Sequence, residues 1–166
     1  MEHLTYDFNT HSLNFGISQN KNEKYQLLTF TIGSISTTQL EFDYETGEFL
    51  YMWGYTPLFK SIRTSISLPN FIEGKFIAEI SAIPYSRGNA FNYLNYFPNS
   101  EGYMVDKNGL PLLYYDEASK VILIGTMDSN DKAIKVGSNF IFGFDDNKNL
   151  KYILILIDII FQENNI

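Results

Sequence analysis

Leu150-Lys151-Tyr152-Ile153-Leu154-Ile155-Leu156-Ile157-Asp158-Ile159-Ile160-Phe161 is the stretch that decides the fold. Side chains alternate along an extended chain. Leu150, Tyr152, Leu154, Leu156 and Ile160 therefore fall on one side, and Ile153, Ile155, Ile157, Ile159 and Phe161 on the other. A strand that is apolar on both sides needs cover on both, which places it in the middle of its sheet. Upstream lie two further β-rich runs, Val121-Ile122-Leu123-Ile124-Gly125 and Phe140-Ile141-Phe142-Gly143-Phe144, separated by turns rich in Asp, Asn, Lys and Gly. Residues 115–161 read as an antiparallel meander.

The amino-terminal third repeats this grammar. Tyr6-Asp7, a polar gap and Leu13-Asn14-Phe15-Gly16 match Tyr115-Asp116, a polar gap and Ile122-Leu123-Ile124-Gly125 with the same spacing. Phe42-Asp43-Tyr44-Glu45-Thr46-Gly47 before Phe49-Leu50-Tyr51 matches Phe144-Asp145-Asp146-Asn147-Lys148-Asn149 before Leu150-Lys151-Tyr152, one residue out of step. Residues 1–58 and 110–161 are thus either an internal duplication or two meanders sharing common turn punctuation, within a single β-rich domain of residues 1–166.

Between them, residues 60–68 alternate Ile62, Thr64, Ile66 and Leu68 against Ser61, Arg63, Ser65 and Ser67. With residues 75–83 they are expected to form a hairpin. Ala90, Phe91, Leu94 and Phe97 have helical spacing, and Pro98 stops that segment after two turns. Strands are expected at 103–105 and 110–113, around an Asn108-Gly109 turn. The fold class is all-β: antiparallel meanders forming a curled sheet, a sandwich or a half-barrel, with one short helix.

Composition limits the chemistry. The 166 residues include no cysteine, so disulfides, thiolate metal sites and cysteine nucleophiles are all excluded. The first twenty residues lack the basic and apolar regions of a secretory signal. The longest apolar run, broken by Asp158, is about half the roughly 20 residues a membrane helix needs. A soluble, cytoplasmic protein without membrane contact is the expectation. With 19 acidic and 12 basic residues the net charge is -7, which repels nucleic acid and favours basic partners.

No Gly-x-Ser-x-Gly elbow and no glycine-rich phosphate loop occurs. The two histidines, His3 and His11, flank the first turn with no nucleophile motif nearby. The acidic turns lack calcium-loop spacing. No cofactor or metal is therefore expected, and no catalytic residue stands out. Asp158 is the oddest carboxylate: either it is buried in an apolar strand with a raised pKa, or the strand emerges into solvent there.

The most suggestive surface is 41–48. Glu41, Asp43 and Glu45 share one side of a strand, with Tyr44 on the other and Glu48 just past the turn; Phe49, Tyr51 and Trp53 share a side of the next strand. If the two rows meet, they make an acidic strip beside exposed rings, suited to a basic protein. If they do not, Trp53 and its neighbours fill the core. The partner-binding candidates are Glu41, Asp43, Tyr44, Glu45, Glu48, Tyr51 and Trp53.

In its acidic, cysteine-free, asparagine-rich β character, with hairpin tips such as Phe42-Asp43-Tyr44-Glu45-Thr46-Gly47 and Phe144-Asp145-Asp146-Asn147, the chain resembles the immunity proteins of bacterial contact-dependent and other polymorphic toxin systems. That resemblance implies a non-enzymatic protein that binds and neutralises a cognate, basic toxin domain such as a nuclease; a sheet edge left open by the meander could pair with its own copy, so a monomer or weak homodimer is expected. A small-ligand-binding β-barrel and a carboxylate-dependent hydrolase are the alternatives.

Overall fold

The structure is a computed structural model that describes residues 2–16, 26–33, 37–85 and 89–162. Its strands are β1 (Leu4–Asp7), β2 (Ser12–Phe15), β3 (Leu27–Thr31), β4 (Thr37–Asp43), β5 (Phe49–Tyr55), β6 (Ile62–Arg63), β7 (Ile72–Glu73), β8 (Ala90–Asn92), β9 (Leu113–Asp116), β10 (Val121–Gly125), β11 (Lys132–Val136), β12 (Phe140–Phe144), β13 (Leu150–Leu156) and β14 (Ile159–Phe161). They form two seven-stranded sheets. Sheet 1 runs β14-β1-β2-β5-β4-β3-β8, and sheet 2 runs β6-β9-β10-β13-β12-β11-β7. The fold is all-β, with no closed barrel; the edge strands pair in parallel and the rest antiparallel.

The doubly apolar strand sits where its pattern requires: β13 is the fourth of seven. Ile153 and Ile155 enter the large core between the sheets, while Tyr152 and Leu154 enter a smaller cluster behind sheet 2. Leu150 breaks the expected parity and joins the large core, because a bulge at Gly143/Phe144 shifts the register between Leu150 and Tyr152. The run also ends sooner than its hydrophobicity suggests. Asp158 accepts hydrogen bonds from Leu4 N (2.9 Å) and Asn139 Nδ2 (2.9 Å), and the chain crosses there to pair as β14 with β1. Asp158 is exposed, as the emerging-strand alternative required.

The two sheets share one plan. Five central strands of sheet 1, β1-β2-β5-β4-β3, correspond to β9-β10-β13-β12-β11 of sheet 2. The likeness reaches single residues. His11 and Lys120 both adopt left-handed backbone (φ 52 and 57), and both accept through their carbonyls, from Thr56 N and Ile157 N. The register of the third hairpin slips at Glu41/Phe42 in one sheet and at Gly143/Phe144 in the other. Each half also lends its next strand to the other sheet: β6, after β5, pairs with β9, and β14, after β13, pairs with β1.

Phe15, Phe49, Phe76, Phe140 and Phe142 interlock between the sheets, with Phe49 4.7 Å from Phe142 and 5.2 Å from Phe140. These rings fill the interior between the sheets where they meet.

The connecting segment departs from the sequence reading. Residues 60–68 and 75–83 form no hairpin; only Ile62–Arg63 and Ile72–Glu73 are strands, at opposite edges of sheet 2. Six strand spacings separate those edges, about 29 Å, and nine residue steps reach about 30–32 Å. Residues 64–71 therefore cross the back of sheet 2 as a nearly taut strap. Ile66 packs against the cluster that contains Val121, Leu123, Ile141 and Leu154, and its N–H donates to Asp116 Oδ2 at 2.9 Å. An unpaired extended chain lying on a surface has the same two-residue period as a strand, which is why the alternation misled.

Among the described residues, helix is confined to short turns. α1 (Tyr93–Tyr96) is capped by Asn92, whose side chain accepts from Leu94 N, and α2 (Glu101–Met104) replaces the strand expected at 103–105. The Asn108-Gly109 turn is present, with Gly109 at φ 76.

Candidate functional site

The shared plan supplies an internal comparison, because equivalent positions on the outer faces of the two sheets differ in chemistry. Across sheet 2, Tyr114, Leu123, Leu154, Ile141 and Lys135 lie opposite one another in register. The middle three are buried beneath the strap. Across sheet 1 the equivalent positions hold Thr5, Asn14, Trp53, Gln39 and Thr31. One step along, Asp116, Val121 and Leu156 are matched by Asp7, Ser12 and Tyr55. Trp53 is 38 % and Tyr55 42 % exposed, whereas their equivalents Leu154 and Leu156 belong to the cluster behind sheet 2. An apolar covered face has become a polar face bearing two rings.

Glu41 anchors its centre. The carboxylate accepts from Thr29 Oγ1 at 2.7 Å and from Trp53 Nε1 at 2.8 Å, which fixes the indole against β4. Only 3 % of Glu41 is exposed. Burial pushes its carboxyl above the ordinary carboxylate range, against the pull of the two hydrogen bonds. An acid whose pKa is higher folded than unfolded costs stability while ionised, and that cost fades as pH falls through the folded pKa. The wild type should therefore gain stability relative to Glu41→Gln as pH falls from 7 towards 4.5, followed by urea denaturation at each pH. A difference that stays constant over that interval would show the carboxylate to be unburdened.

The strip expected of 41–48 does not form. Glu41 and Asp43 are both buried, and Asp43 holds its own turn, accepting from Glu45 N and Thr46 Oγ1. Glu45 is exposed at the tip; Glu48 pairs with Lys75 at 3.4 Å; Tyr44 lies against Tyr85. Phe49, Tyr51 and Trp53 do not share a surface, because the register slip at Glu41/Phe42 separates them: Phe49 joins the core and Trp53 faces out. Tyr51 is buried and stacked on Phe15. Of the seven candidates, Glu41 and Trp53 meet on the open face. Tyr55, Gln39, Asn14, Thr29 and Thr31 complete it, and the alternation of Thr29 with Thr31, Gln39 with Glu41 and Trp53 with Tyr55 is their trace in the sequence.

Charge is divided between the sheets. The strands of sheet 1 carry Asp7, Glu41 and Asp43 and no lysine or arginine, while those of sheet 2 carry Arg63, Lys132, Lys135 and Lys151 beside Glu73 and Asp116. Among the described residues no three His, Asp or Glu side chains are grouped to hold a metal. His3 lies 3.9 Å from Asp158, and His11 packs against Phe59. No described helix is long and apolar enough to cross a membrane. No protein-family model matches the chain, and no curated protein matches it in sequence.

Proposed function

We propose that the chain is a non-catalytic binding protein that receives a basic protein partner on the outer face of sheet 1, in the manner of an immunity protein neutralising a toxin domain. The observation that carries the surface is the contrast between equivalent faces, one apolar and crossed by residues 64–71, the other polar, with Trp53 and Tyr55 partly exposed among Thr, Asn and Gln and no described segment laid across it. Exposed rings surrounded by neutral hydrogen-bonding groups are the usual make-up of a protein contact. A basic partner follows from the absence of lysine and arginine in these strands and from the net charge of -7. The immunity role rests on the resemblance of composition and hairpin tips.

The test is binding to the proteins encoded beside this one, read through emission of Trp53, the only tryptophan. Thr31→Lys and Gln39→Lys should each weaken binding by about tenfold or more without altering the far-ultraviolet circular dichroism, and added salt should weaken it further. Wild-type affinity in both variants would move the contact to another surface.

A further inference from the structure

The strap behind sheet 2 covers an apolar face with little to hold it down. Of its apolar side chains, Ile66 packs into the cluster beneath, whereas Leu68 is 48 % and Phe71 39 % exposed, and Ile72 just beyond is 69 % exposed. The backbone N–H groups of Ser65, Ser67, Leu68, Asn70 and Phe71 donate to no described residue. Beneath the strap, Ile141 and Leu154 are fully buried. A segment with few buried contacts and many unpaired backbone groups opens at far lower free energy than the core it lies on.

Tautness decides how it opens. Nine residue steps barely span the seven-stranded sheet, so the strap cannot rise while both of its ends hold. The β6 end is tied by Thr64 N–H to the Tyr115 carbonyl (3.2 Å) and by Ile66 N–H to Asp116 Oδ2 (2.9 Å). Arg63 adds to it, 3.6 Å from Glu117 and 4.7 Å from the centre of the Tyr115 ring. At the β7 end, Gly74 N–H donates to the Lys135 carbonyl (3.0 Å) and Lys135 lies 5.2 Å from the Phe71 ring. A hydrogen bond to a carboxylate outweighs one between neutral groups, so β7 gives way first. Phe76, buried in the large core, ends the stretch that can move.

We propose that residues 67–74 are a hinged cover, which releases from β11 and swings about the β6 end, where Thr64 and Ile66 stay bound, opening the apolar outer face of sheet 2 while the sandwich remains folded.

Because the chain has no cysteine, a single introduced thiol reports on the opening. Leu154→Cys places it behind sheet 2, and Ile153→Cys places it in the large core one residue away. In native buffer iodoacetamide should alkylate Leu154→Cys at least about tenfold faster than Ile153→Cys, with a rate that urea far below the unfolding midpoint leaves unchanged. In the wild type, protection of the Gly74 amide against hydrogen exchange should be about tenfold weaker than that of Ile66. Equal alkylation of the two thiols would mean that this face opens only when the whole molecule unfolds, and would overturn the cover. Protection of Ile66 no stronger than that of Gly74 would overturn the hinge at β6, and this measurement needs no substitution, so it decides even where a cysteine variant fails to fold.

Discussion

Replacing Gly143 by alanine should cost about 3 kcal/mol, near the upper end for overpacking, and lower the melting temperature by about 6–12 °C. Gly143 lies directly opposite Tyr152 in the β12–β13 pair, and a methyl group there would stand inside the Tyr152 ring. Its backbone is not in the left-handed region, so alanine is locally acceptable and the cost comes from displacing the ring. Tyr152 has nowhere to go: it is fully buried, behind sheet 2, among Leu154, Ile141 and Val121. Pairing the change with Tyr152→Leu isolates the clash. The two together should destabilise by clearly less than the sum of the single changes in urea denaturation, and strict additivity would contradict the steric account. The equivalent position in sheet 1 is Glu41, so one plan demands a bare backbone in one half and seats a carboxylate in the other.

Phe49→Ala should be costlier, about 3–5 kcal/mol, the range for emptying a large aromatic site. Its ring touches Phe42 on its own sheet, Phe76 from the connecting segment, and Phe140 and Phe142 on the facing sheet. None of these can collapse into the hole without separating from another neighbour. Against a usual total of about 5–15 kcal/mol, such a loss leaves little reserve. Chemical denaturation should show an earlier midpoint, whereas Phe59→Ala, at an exposed residue, should move it by less than about 1 kcal/mol. Equal shifts would mean that the aromatic cluster is not what joins the sheets.

The central architecture was legible because it depends on local alternation. The doubly apolar run could be satisfied only in mid-sheet, and the spacing from Tyr6-Asp7 to Gly16 recurred in strands that indeed correspond. The strap was not legible, since nothing in residues 60–68 distinguishes a chain hydrogen-bonded to a neighbour from one resting on side chains. The open face was half legible. Period-two reasoning put Glu41 opposite Leu40 and Phe42, but it could not reveal that a register slip separates Phe49 from Trp53, nor that the indole N–H would turn a surface acid into a buried one. Burial depends on which neighbours arrive from distant strands, and Thr29 and Trp53 each lie 12 residues from Glu41.

The exchange of edge strands has a consequence for how the chain is made. β1 is completed by β14, with Leu4 and Asp158 hydrogen-bonded across 154 residues of sequence. During synthesis the β1–β2 hairpin leaves the ribosome with one flank unsatisfied, and that flank is sealed only once Asp158, 154 residues after Leu4, and the strand beyond it have been made. Closure over so long a loop is slow. The nascent first half is thus the stage at which the molecule is most open to pairing with the wrong chain.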